Sequence, residues 1–414
     1  MKKTYLFLLT ILTVTVNSFS QETSESFSFK TENRTYLLYI PSTYNAATDN
    51  LPLVLALHGL GDTKENFSNF NGFKALAESE KFILVTPQAE DPTESITAFG
   101  QTVQMNTILQ KAWHCGAGGN SYTVNGFPIT LPTPYYLSET RDDVGFLSAL
   151  IDSVSNNYNV NPKRIYSTGF SMGGFMTNRL GCELSDKIAA IASVGGTIGN
   201  EVKNSCNPNT IVPALHVHSI DDQTVLYSNN DWGMDAEENV DFWVANNNCN
   251  TTAVTTDFTN VFNDGFVSQE LLYTPGDSAS EVVFYHLEGP NHVESWYVGN
   301  KDFSTSDVIW EFFSRHEKIT VVQPEPNTIT NKKLIAFKLF PNPTSGKTTL
   351  TFQENELIQS ISITNSIGKT ILNKNFKNNK NNFSFDLTNH SKGIYFIQIE
   401  NNSGTKIVNK LIKD

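Results

Sequence analysis

The sequence predicts an α/β fold with a mainly parallel sheet, followed by a small all-β domain at the C-terminal end. Short β-rich runs alternate with amphipathic helical runs between residues 34 and 316, as in a parallel sheet covered by helices. Several β-rich runs are apolar throughout, which is typical of strands buried on both faces. From about residue 336 the pattern changes to two-residue alternation bounded by turn residues, which indicates antiparallel strands.

The first element is a secretory signal peptide over residues 1–20. Lys2 and Lys3 precede an apolar run over residues 5–16, and small residues lead up to Ser20, where cleavage is expected. A membrane anchor is the alternative, but it needs about 18 to 20 apolar residues. We therefore expect export through the periplasm and a mature chain without a membrane span.

The larger domain is predicted over residues 21–318, a length that allows a full hydrophobic core. Its clearest strands and helices are the apolar runs 53–57, 82–85 and 214–218 and the periodic segments 143–155 and 303–315. Because the helical segments repeat apolar residues at three- and four-residue spacing, each has one face to bury against the sheet.

Residues 89–140 lack this regularity and are rich in Gly, Pro, Thr, Asn and aromatic residues. A loop of this length inside a compact domain is usually a lid or a binding loop, with short helices as a further option. Trp113 and Tyr136 are the candidates from it for an aromatic acyl pocket. The alternative is that these rings only pack the loop onto the domain.

A polar, proline-bearing linker is predicted over residues 319–335 and a small β-sandwich over residues 336–414. The segment from residue 332 onward holds twelve lysines and five acidic residues, although the whole chain carries a net charge of −13. The preceding part is therefore strongly acidic. This argues against nucleic acid as a partner, because phosphate binding needs a basic face.

Four cysteines, at positions 115, 182, 206 and 249, fall within the larger domain. In an exported protein an even number predicts two disulfides, with three possible pairings. Cys115–Cys182 with Cys206–Cys249 is the pairing we favour. A metal site is not expected, because no C-x-x-C spacing and no closely following His pair is present.

The C-terminal domain resembles the type A sorting domain of the type IX secretion system of Bacteroidota. The resemblance rests on Phe340-Pro341-Asn342-Pro343, the turn at residues 366–369, Lys392-Gly393-Ile394-Tyr395 and the basic end over residues 406–413. It implies handling by that secretion machinery and passage across the outer membrane. Release or surface attachment would follow. A carbohydrate-binding sandwich is the rival interpretation, but few aromatic residues suited to sugar stacking are present.

The segment Gly169-Phe170-Ser171-Met172-Gly173 has the G-x-S-x-G pattern of a nucleophile elbow. An apolar run precedes it and a helix-compatible run follows it, which is the context this turn requires. Side chains at the flanking glycines would clash with the turn, so the spacing has a steric cause. Ser171 is therefore the candidate nucleophile.

A serine nucleophile needs a base and an acid, and the chain supplies both in the order nucleophile, acid, base. Asp221 and Asp222 follow the predicted strand at 214–218, and His292 follows a later apolar run. Their loops leave the carboxyl ends of neighbouring strands and can converge there. His216 and His218 lie within a predicted strand, where a core role is expected.

An oxyanion hole is expected from the backbone N–H groups of Leu60, after an early strand, and Met172, at the start of a helix. His58 precedes Leu60 and is expected to tie this loop together by hydrogen bonds. Asp143 stands at a predicted helix start, where N-capping is the favoured explanation.

The larger domain resembles the extracellular feruloyl esterase and polyhydroxybutyrate depolymerase family, related to carbohydrate esterase family 1. His58-Gly59-Leu60-Gly61, Gly169 to Gly174 and Gly289-Pro290-Asn291-His292 carry the resemblance. The family's H-x-H-G-x-x-D stretch falls on Asp222, although Ser219 replaces its glycine. The resemblance implies an α/β-hydrolase fold, a triad of Ser171, Asp222 and His292, and acyl transfer without a metal or organic cofactor.

The leading hypothesis is a secreted serine esterase that removes feruloyl or acetyl groups from polysaccharide. Depolymerisation of a polyester such as polyhydroxybutyrate is the closest rival, because the same fold and triad serve both. A catalytically inactive surface binding protein on a hydrolase scaffold is the alternative from a different class.

Overall fold

The computed structural model describes residues 21–414 except 99, 125–126, 261–262, 297–301, 319–336, 353–357, 366–368, 377–381 and 403–405. The predicted signal peptide at 1–20, the predicted linker at 319–335 and most of the turn at 366–369 lie outside these residues and stay predictions. The chain divides into two compact units between residues 321 and 322.

The first unit contains fourteen strands among its described residues. In chain order they are β1 Gln21–Phe29, β2 Glu32–Ile40, β3 Leu51–Leu57, β4 Ile83–Pro87, β5 Ser95–Ala98, β6 Gln101–Gln104, β7 Gly118–Val124, β8 Phe127–Tyr136, β9 Val160–Phe170, β10 Ala190–Val194, β11 Ala214–Ser219, β12 Val254–Asp257, β13 Val267–Tyr273 and β14 Val282–Glu288. Ten of these form one sheet in the order β1-β2-β4-β3-β9-β10-β11-β14-β13-β12.

The six central strands, from β4 to β14 in that order, run parallel, whereas both edges are antiparallel. This arrangement confirms the predicted α/β-hydrolase fold with its mainly parallel sheet. Six helices accompany the sheet among the described residues, namely α1 Lys64–Phe70, α2 Phe73–Glu80, α3 Asp143–Asn157, α4 Met172–Glu183, α5 Ala236–Asn246 and α6 Thr305–Ser314. Short 3₁₀ turns occur at Met105–Thr107 and Asp277–Ala279.

Both faces of the central sheet are buried. Along β3, Leu53, Leu55 and Leu57 belong to one apolar cluster, while Val54 and Ala56 belong to another. Because successive strand residues point to opposite faces, a strand between two helical layers must be apolar at every position. This is why the buried strands could be recognised as uninterrupted apolar runs.

Residues 89–140 are more regular than the sequence suggested. They contain two antiparallel hairpins, β5 with β6 and β7 with β8. The prediction of a long irregular loop was therefore wrong for much of this segment. The many Gly, Pro and Asn residues indicated irregular structure, although the strands among them pair with each other outside the main sheet.

The second unit is the predicted antiparallel all-β domain. Its strands are β15 Phe337–Phe340, β16 Lys347–Phe352, β17 Ile358–Asn365, β18 Thr370–Asn375, β19 Asn382–Asp386, β20 Gly393–Asn401 and β21 Lys406–Lys413. They form one sheet in the order β15-β16-β19 and a second in the order β18-β17-β20-β21. Residues from both sheets, among them Leu350, Phe385, Ile397 and Leu411, form one buried cluster.

The favoured disulfide pairing was wrong. Cys182 is bonded to Cys206, whereas Cys115 and Cys249 are free and buried. Cys182 lies near the end of α4, and the chain returns through β10 to place Cys206 beside it with the two Cα atoms 5.0 Å apart. Spacing along the sequence does not reveal such a return.

Candidate active site

Ser171 occupies a strained turn between β9 and α4. Its backbone has φ 55° and ψ −119°, a conformation that a residue with a side chain rarely adopts. A Cβ atom at Gly169 would lie 2.3 Å from the carbonyl oxygen of Gly173, and one at Gly173 would lie 2.0 Å from the carbonyl oxygen of Leu57. Only glycine therefore fits on either side of the turn, which presents Ser171 at the carboxyl edge of the sheet.

Asp222 and His292 meet beyond the ends of β11 and β14. Oδ2 of Asp222 lies 2.6 Å from Nδ1 of His292, and Oδ1 accepts hydrogen bonds from the backbone N–H groups of Thr224 and Val225. Burial alone would raise the pKa of Asp222. The hydrogen bond and charge of His292, with smaller contributions from His218 and Thr224, lower it below its ordinary value. The carboxylate is thus ionised and can only accept hydrogen bonds.

Because the carboxylate of Asp222 can only accept a hydrogen bond, the neutral imidazole of His292 carries its hydrogen on Nδ1. Nε2 of His292 is then without a hydrogen and can act as a base. Nε2 is buried and has no hydrogen-bond partner among the described residues. His292 and Ser171 line the same cavity of about 410 Å³. Gly195 permits the ring to approach, since a Cβ atom there would lie 3.1 Å from Cε1 of His292.

The neighbouring Asp221 has a different position. It is exposed, and its carboxylate accepts a hydrogen bond of 2.6 Å from the backbone N–H of Gly289. Asp221 therefore joins the loop after β11 to the loop after β14. The structure brings Asp222, and not Asp221, to the histidine.

The loop after β3 places Leu60 on this cavity, together with Met172. Met172 is the first residue of α4, so its backbone N–H has no acceptor within the helix and lies at the positive end of the helix dipole. The loop passes directly beside the serine, since a Cβ atom at Gly59 would lie 3.4 Å from Cβ of Ser171, in ordinary van der Waals contact. Leu60 and Met172, the residues predicted to supply the oxyanion donors, thus line the same cavity as Ser171.

His58 holds this loop in place. Its Nδ1–H donates to the carbonyl of Gly59 over 2.7 Å, and Nε2 accepts from the backbone N–H of Ala89 over 3.0 Å. Burial lowers the pKa of His58 to about 4. His58 is therefore neutral at ordinary pH, with the hydrogen fixed on Nδ1.

The structure places the two predicted substrate-binding aromatics elsewhere. Trp113 is fully buried, and its indole N–H donates to the carbonyl of His58 over 3.0 Å. It supports the loop after β3 and offers no exposed surface to a substrate. Tyr136 lines a separate cavity with Pro134 and Asn200. The structure therefore does not place Tyr136 in the cavity of Ser171, where it was predicted to bind the acyl group.

Other residues line the cavity instead. Phe170, Phe175, Trp232, Val225 and Val293 give it a mainly apolar wall. The sequence offered a signal only for Phe170, which lies within the serine motif, and for Phe175, which follows it in the next helix. Trp232 and Val293 lie outside regular elements, and no pattern in the sequence could place them.

His216 and His218 are buried within β11 as predicted, and they form a hydrogen-bonded chain between Ser193 and Val225. Nε2 of His218 lies 2.8 Å from the carbonyl oxygen of Val225, which can only accept, so Nε2 carries the hydrogen. Nδ1 of His218 then accepts from Nε2–H of His216 over 3.1 Å, and Nδ1 of His216 accepts from the hydroxyl of Ser193. Burial lowers the pKa of both histidines, which keeps this chain neutral.

The prediction that Asp143 is the N-cap of α3 was wrong by one residue. Asp142 caps α3 by accepting from the backbone N–H of Gly145. Asp143 is buried and binds the guanidinium of Arg34 over 2.7 Å and the backbone N–H of His114 over 2.7 Å. It anchors the segment that carries Trp113.

Comparison with known families assigns both units. Residues 338–414 match the secretion system C-terminal sorting domain, and residues 138–238, which include Ser171 and Asp222, match the phospholipase/carboxylesterase family. The first unit therefore has an α/β-hydrolase fold and is similar to carboxylesterases over residues 138–238. This confirms both resemblances that the sequence indicated.

Three curated relatives of the first unit are enzymes named for the ester bonds or the polymer that they cleave. A bifunctional acetylxylan esterase/xylanase of Neocallimastix patriciarum is 29% identical over 46% of this chain and 22% of its own length. Feruloyl esterase B of Piromyces equi is 39% identical over 21% of this chain and 17% of its own. A poly(3-hydroxyalkanoate) depolymerase C of Paucimonas lemoignei is 25% identical over 47% and 40%. The chain spans less than half the length of each.

None of the helices in the described part of the chain is long and apolar enough to cross a bilayer. Within the same part of the chain, no group of three or more His, Cys, Asp or Glu side chains is arranged to hold a metal ion.

Proposed function

We propose that the protein is a secreted serine carboxylic-ester hydrolase with Ser171, His292 and Asp222 as its catalytic triad. The observation that carries the proposal is the hydrogen bond between Asp222 and His292, which leaves Nε2 of His292 free in the cavity that Ser171 lines. Such a base, oriented by a carboxylate beside a serine on a strained turn, is suited to nucleophilic acyl transfer.

In this mechanism Nε2 of His292 takes the proton of the Ser171 hydroxyl as Oγ attacks the ester carbonyl carbon. The backbone N–H groups of Leu60 and Met172 stabilise the oxyanion of the tetrahedral intermediate. His292 returns the proton to the departing alcohol, and the acyl group stays on Oγ. Water then attacks the acyl-enzyme by the same route and releases the acid.

We propose feruloyl or acetyl esters of a polysaccharide as the substrate. Relatives with acetylxylan esterase and feruloyl esterase names support this choice. The cavity of about 410 Å³ falls within the range of about 300–1,000 Å³ for small-molecule sites. Its aromatic wall of Phe170, Phe175 and Trp232 suits a planar phenolic acyl group.

A polyester substrate is the second candidate. The poly(3-hydroxyalkanoate) depolymerase relative supports it. Two apolar residues of the cavity, Leu60 and Val293, are 38% and 48% exposed, and exposed apolar surface beside a catalytic serine would favour contact with a hydrophobic polymer.

The C-terminal sorting domain supports an extracellular or cell-surface location. We propose that the type IX secretion machinery handles this domain after the chain has crossed the periplasm.

Hydrolysis of methyl ferulate, 4-nitrophenyl acetate and polyhydroxybutyrate tests the proposal, with Ser171→Ala measured beside the unaltered protein. Ser79→Ala is the matched control, because Ser79 is an exposed serine on α2. We expect ester hydrolysis that Ser171→Ala abolishes and Ser79→Ala retains. Ferulate release identifies the first substrate class and clearing of the polymer identifies the second. Absence of hydrolysis on all three favours an inactive binding protein.

A further inference from the structure

A second cavity, of about 360 Å³, lies between α5 and the strands β13 and β14. It shares no lining residue with the cavity of Ser171. Its lining combines aromatic rings with polar and acidic side chains, the principal ones being Tyr227, Glu237, Asp241, Gln269, Tyr273 and His286.

The ring of Tyr227 is fixed on one side of this cavity. It stacks on Phe284 at 25° and meets the imidazole of His286 edge-on at 5.6 Å. Its hydroxyl donates to Glu237 over 2.9 Å. Because the ring is held by three neighbours and remains only half-buried, it offers a rigid, partly exposed aromatic surface.

The polar groups of the cavity have unused hydrogen-bonding capacity. Asp241 is exposed and makes no hydrogen bond or ion pair with any described residue, and neither ring nitrogen of His286 is hydrogen-bonded within the same part of the chain. Burial raises the pKa of the half-buried Tyr273, and the nearby carboxylates of Asp241 and Glu237 raise it further. Carboxylates, an imidazole and a phenol thus surround one space.

This composition selects among ligands. Among the described residues no lysine or arginine lines the cavity, whereas two carboxylates do, so an anionic ligand would be repelled. Carboxylates accept hydrogen bonds from hydroxyl groups, and aromatic rings pack against apolar C–H surface. A sugar ring presents hydroxyl groups around its edge and C–H groups on its faces. A neutral sugar therefore fits both halves of the lining.

We propose that this cavity binds a sugar unit of the neutral polysaccharide on which the esterase acts, at a distance from the ester itself. The inference rests on the proposed function for the identity of the polymer. Thr224 and Val225 line the catalytic cavity, and Tyr227 lines the second one. One loop, which also carries Asp222, thus borders both sites and sets their spacing along a polymer chain.

Calorimetric titration of the full protein with xylohexaose and cellohexaose tests this inference. We expect binding of at least one oligosaccharide, weakened at least tenfold by Tyr273→Ala and at least threefold by Asp241→Asn. Tyr273→Phe, which keeps the ring, should bind within threefold of the unaltered protein. Asp307→Asn, at an exposed acid on α6, is the matched control and should bind normally.

Kinetics supply a second readout. Tyr273→Ala should raise KM for a feruloylated or acetylated polysaccharide at least fivefold while hydrolysis of 4-nitrophenyl acetate stays within twofold. The titration does not require catalysis, so it still tests the cavity if the protein hydrolyses no ester. The inference is overturned if the unaltered protein binds neither oligosaccharide, or if the cavity variants bind them as well as Asp307→Asn does.

Discussion

Nε2 of His218 lies 3.5 Å from Oδ2 of Asp222, the same carboxylate oxygen that accepts the hydrogen bond from His292. Both side chains are almost completely buried. The distance is too long for a good hydrogen bond, but the N–H dipole is close enough to attract the negative charge where little water screens it. His218 therefore contacts the candidate triad at Asp222.

We predict that His218→Phe lowers kcat/KM for an ester about tenfold and moves the acid limb of its pH profile to higher pH. Without the Nε2–H dipole, Asp222 holds a proton more tightly. The pKa of Asp222 rises, and the coupled pair of Asp222 and His292 takes up the inactivating proton at higher pH. The profile of kcat/KM against pH, recorded for a soluble nitrophenyl ester, measures this.

His218→Gln and His316→Phe separate this effect from packing. The glutamine amide can still donate near the Nε2 position and should restore part of the profile. His316 is also buried and paired with a carboxylate, that of Glu281, but it does not line the catalytic cavity. If both phenylalanine variants fold and neither shifts the profile, His218 serves packing alone.

Ser171→Ala and Ser171→Gly should differ in stability but not in activity. Both remove the nucleophile and should lower kcat/KM by about 10⁴-fold or more. Alanine keeps the Cβ atom in a backbone conformation with φ 55°, whereas glycine relieves this strain. We expect Ser171→Gly to exceed Ser171→Ala by roughly 1 kcal/mol in free energy of unfolding.

Urea denaturation of the two variants measures that difference. The comparison cancels the loss of the hydroxyl, which both share. Equal stability, or a less stable glycine variant, would show that the turn at Ser171 is not strained.

The parts of the fold and site that the sequence predicted share one cause. A strand buried on both faces must be apolar, and a serine on a sharp turn must have glycines around it, so local composition reports the structure directly. The position of His292 and the loop that carries Asp221 and Asp222 followed from chain order and from the convergence of parallel strands at one edge, whereas the choice of Asp222 over Asp221 came from the family resemblance. These inferences need no knowledge of which distant residues touch.

The errors share the opposite cause. Trp113 is in an irregular segment rich in aromatics, yet its indole faces the carbonyl of His58 and not the cavity. The bond between Cys182 and Cys206 depends on how the chain returns after β10. The proximity of His218 to Asp222 depends on the loop after β11 folding back through Val225. Each is a tertiary contact without a local signature.

His58 should make stability depend on pH in the mildly acidic range. Its pKa is about 4 in the folded chain and about 6.5 when unfolded. Between these values the unfolded chain binds the proton that the folded chain excludes, so the free energy of unfolding falls as pH falls from about 6.5 to 4. The loss from His58 alone is about 3 kcal/mol, and the buried His216 and His218 act in the same direction.

Denaturant unfolding at pH 7 and pH 5 measures this dependence. His58→Gln removes one titrating group and should show a smaller loss between the two values. Ser171→Ala removes no titrating group and should show the full loss. An unchanged dependence in His58→Gln would mean that His58 takes up its proton equally in both states.

The single disulfide should contribute substantially to stability. Its cysteines are 24 residues apart, and closing a loop of that length restricts the unfolded chain enough to stabilise the fold by about 3 kcal/mol. We expect Cys182→Ser with Cys206→Ser to lower the free energy of unfolding by this amount.

The buried Cys115, whose thiol has its pKa raised to about 12 by burial, should stay unreactive until unfolding. Thiol labelling under denaturing, non-reducing conditions should then modify two cysteines, Cys115 and Cys249, and peptide mapping that found either one in a disulfide would contradict the observed pairing.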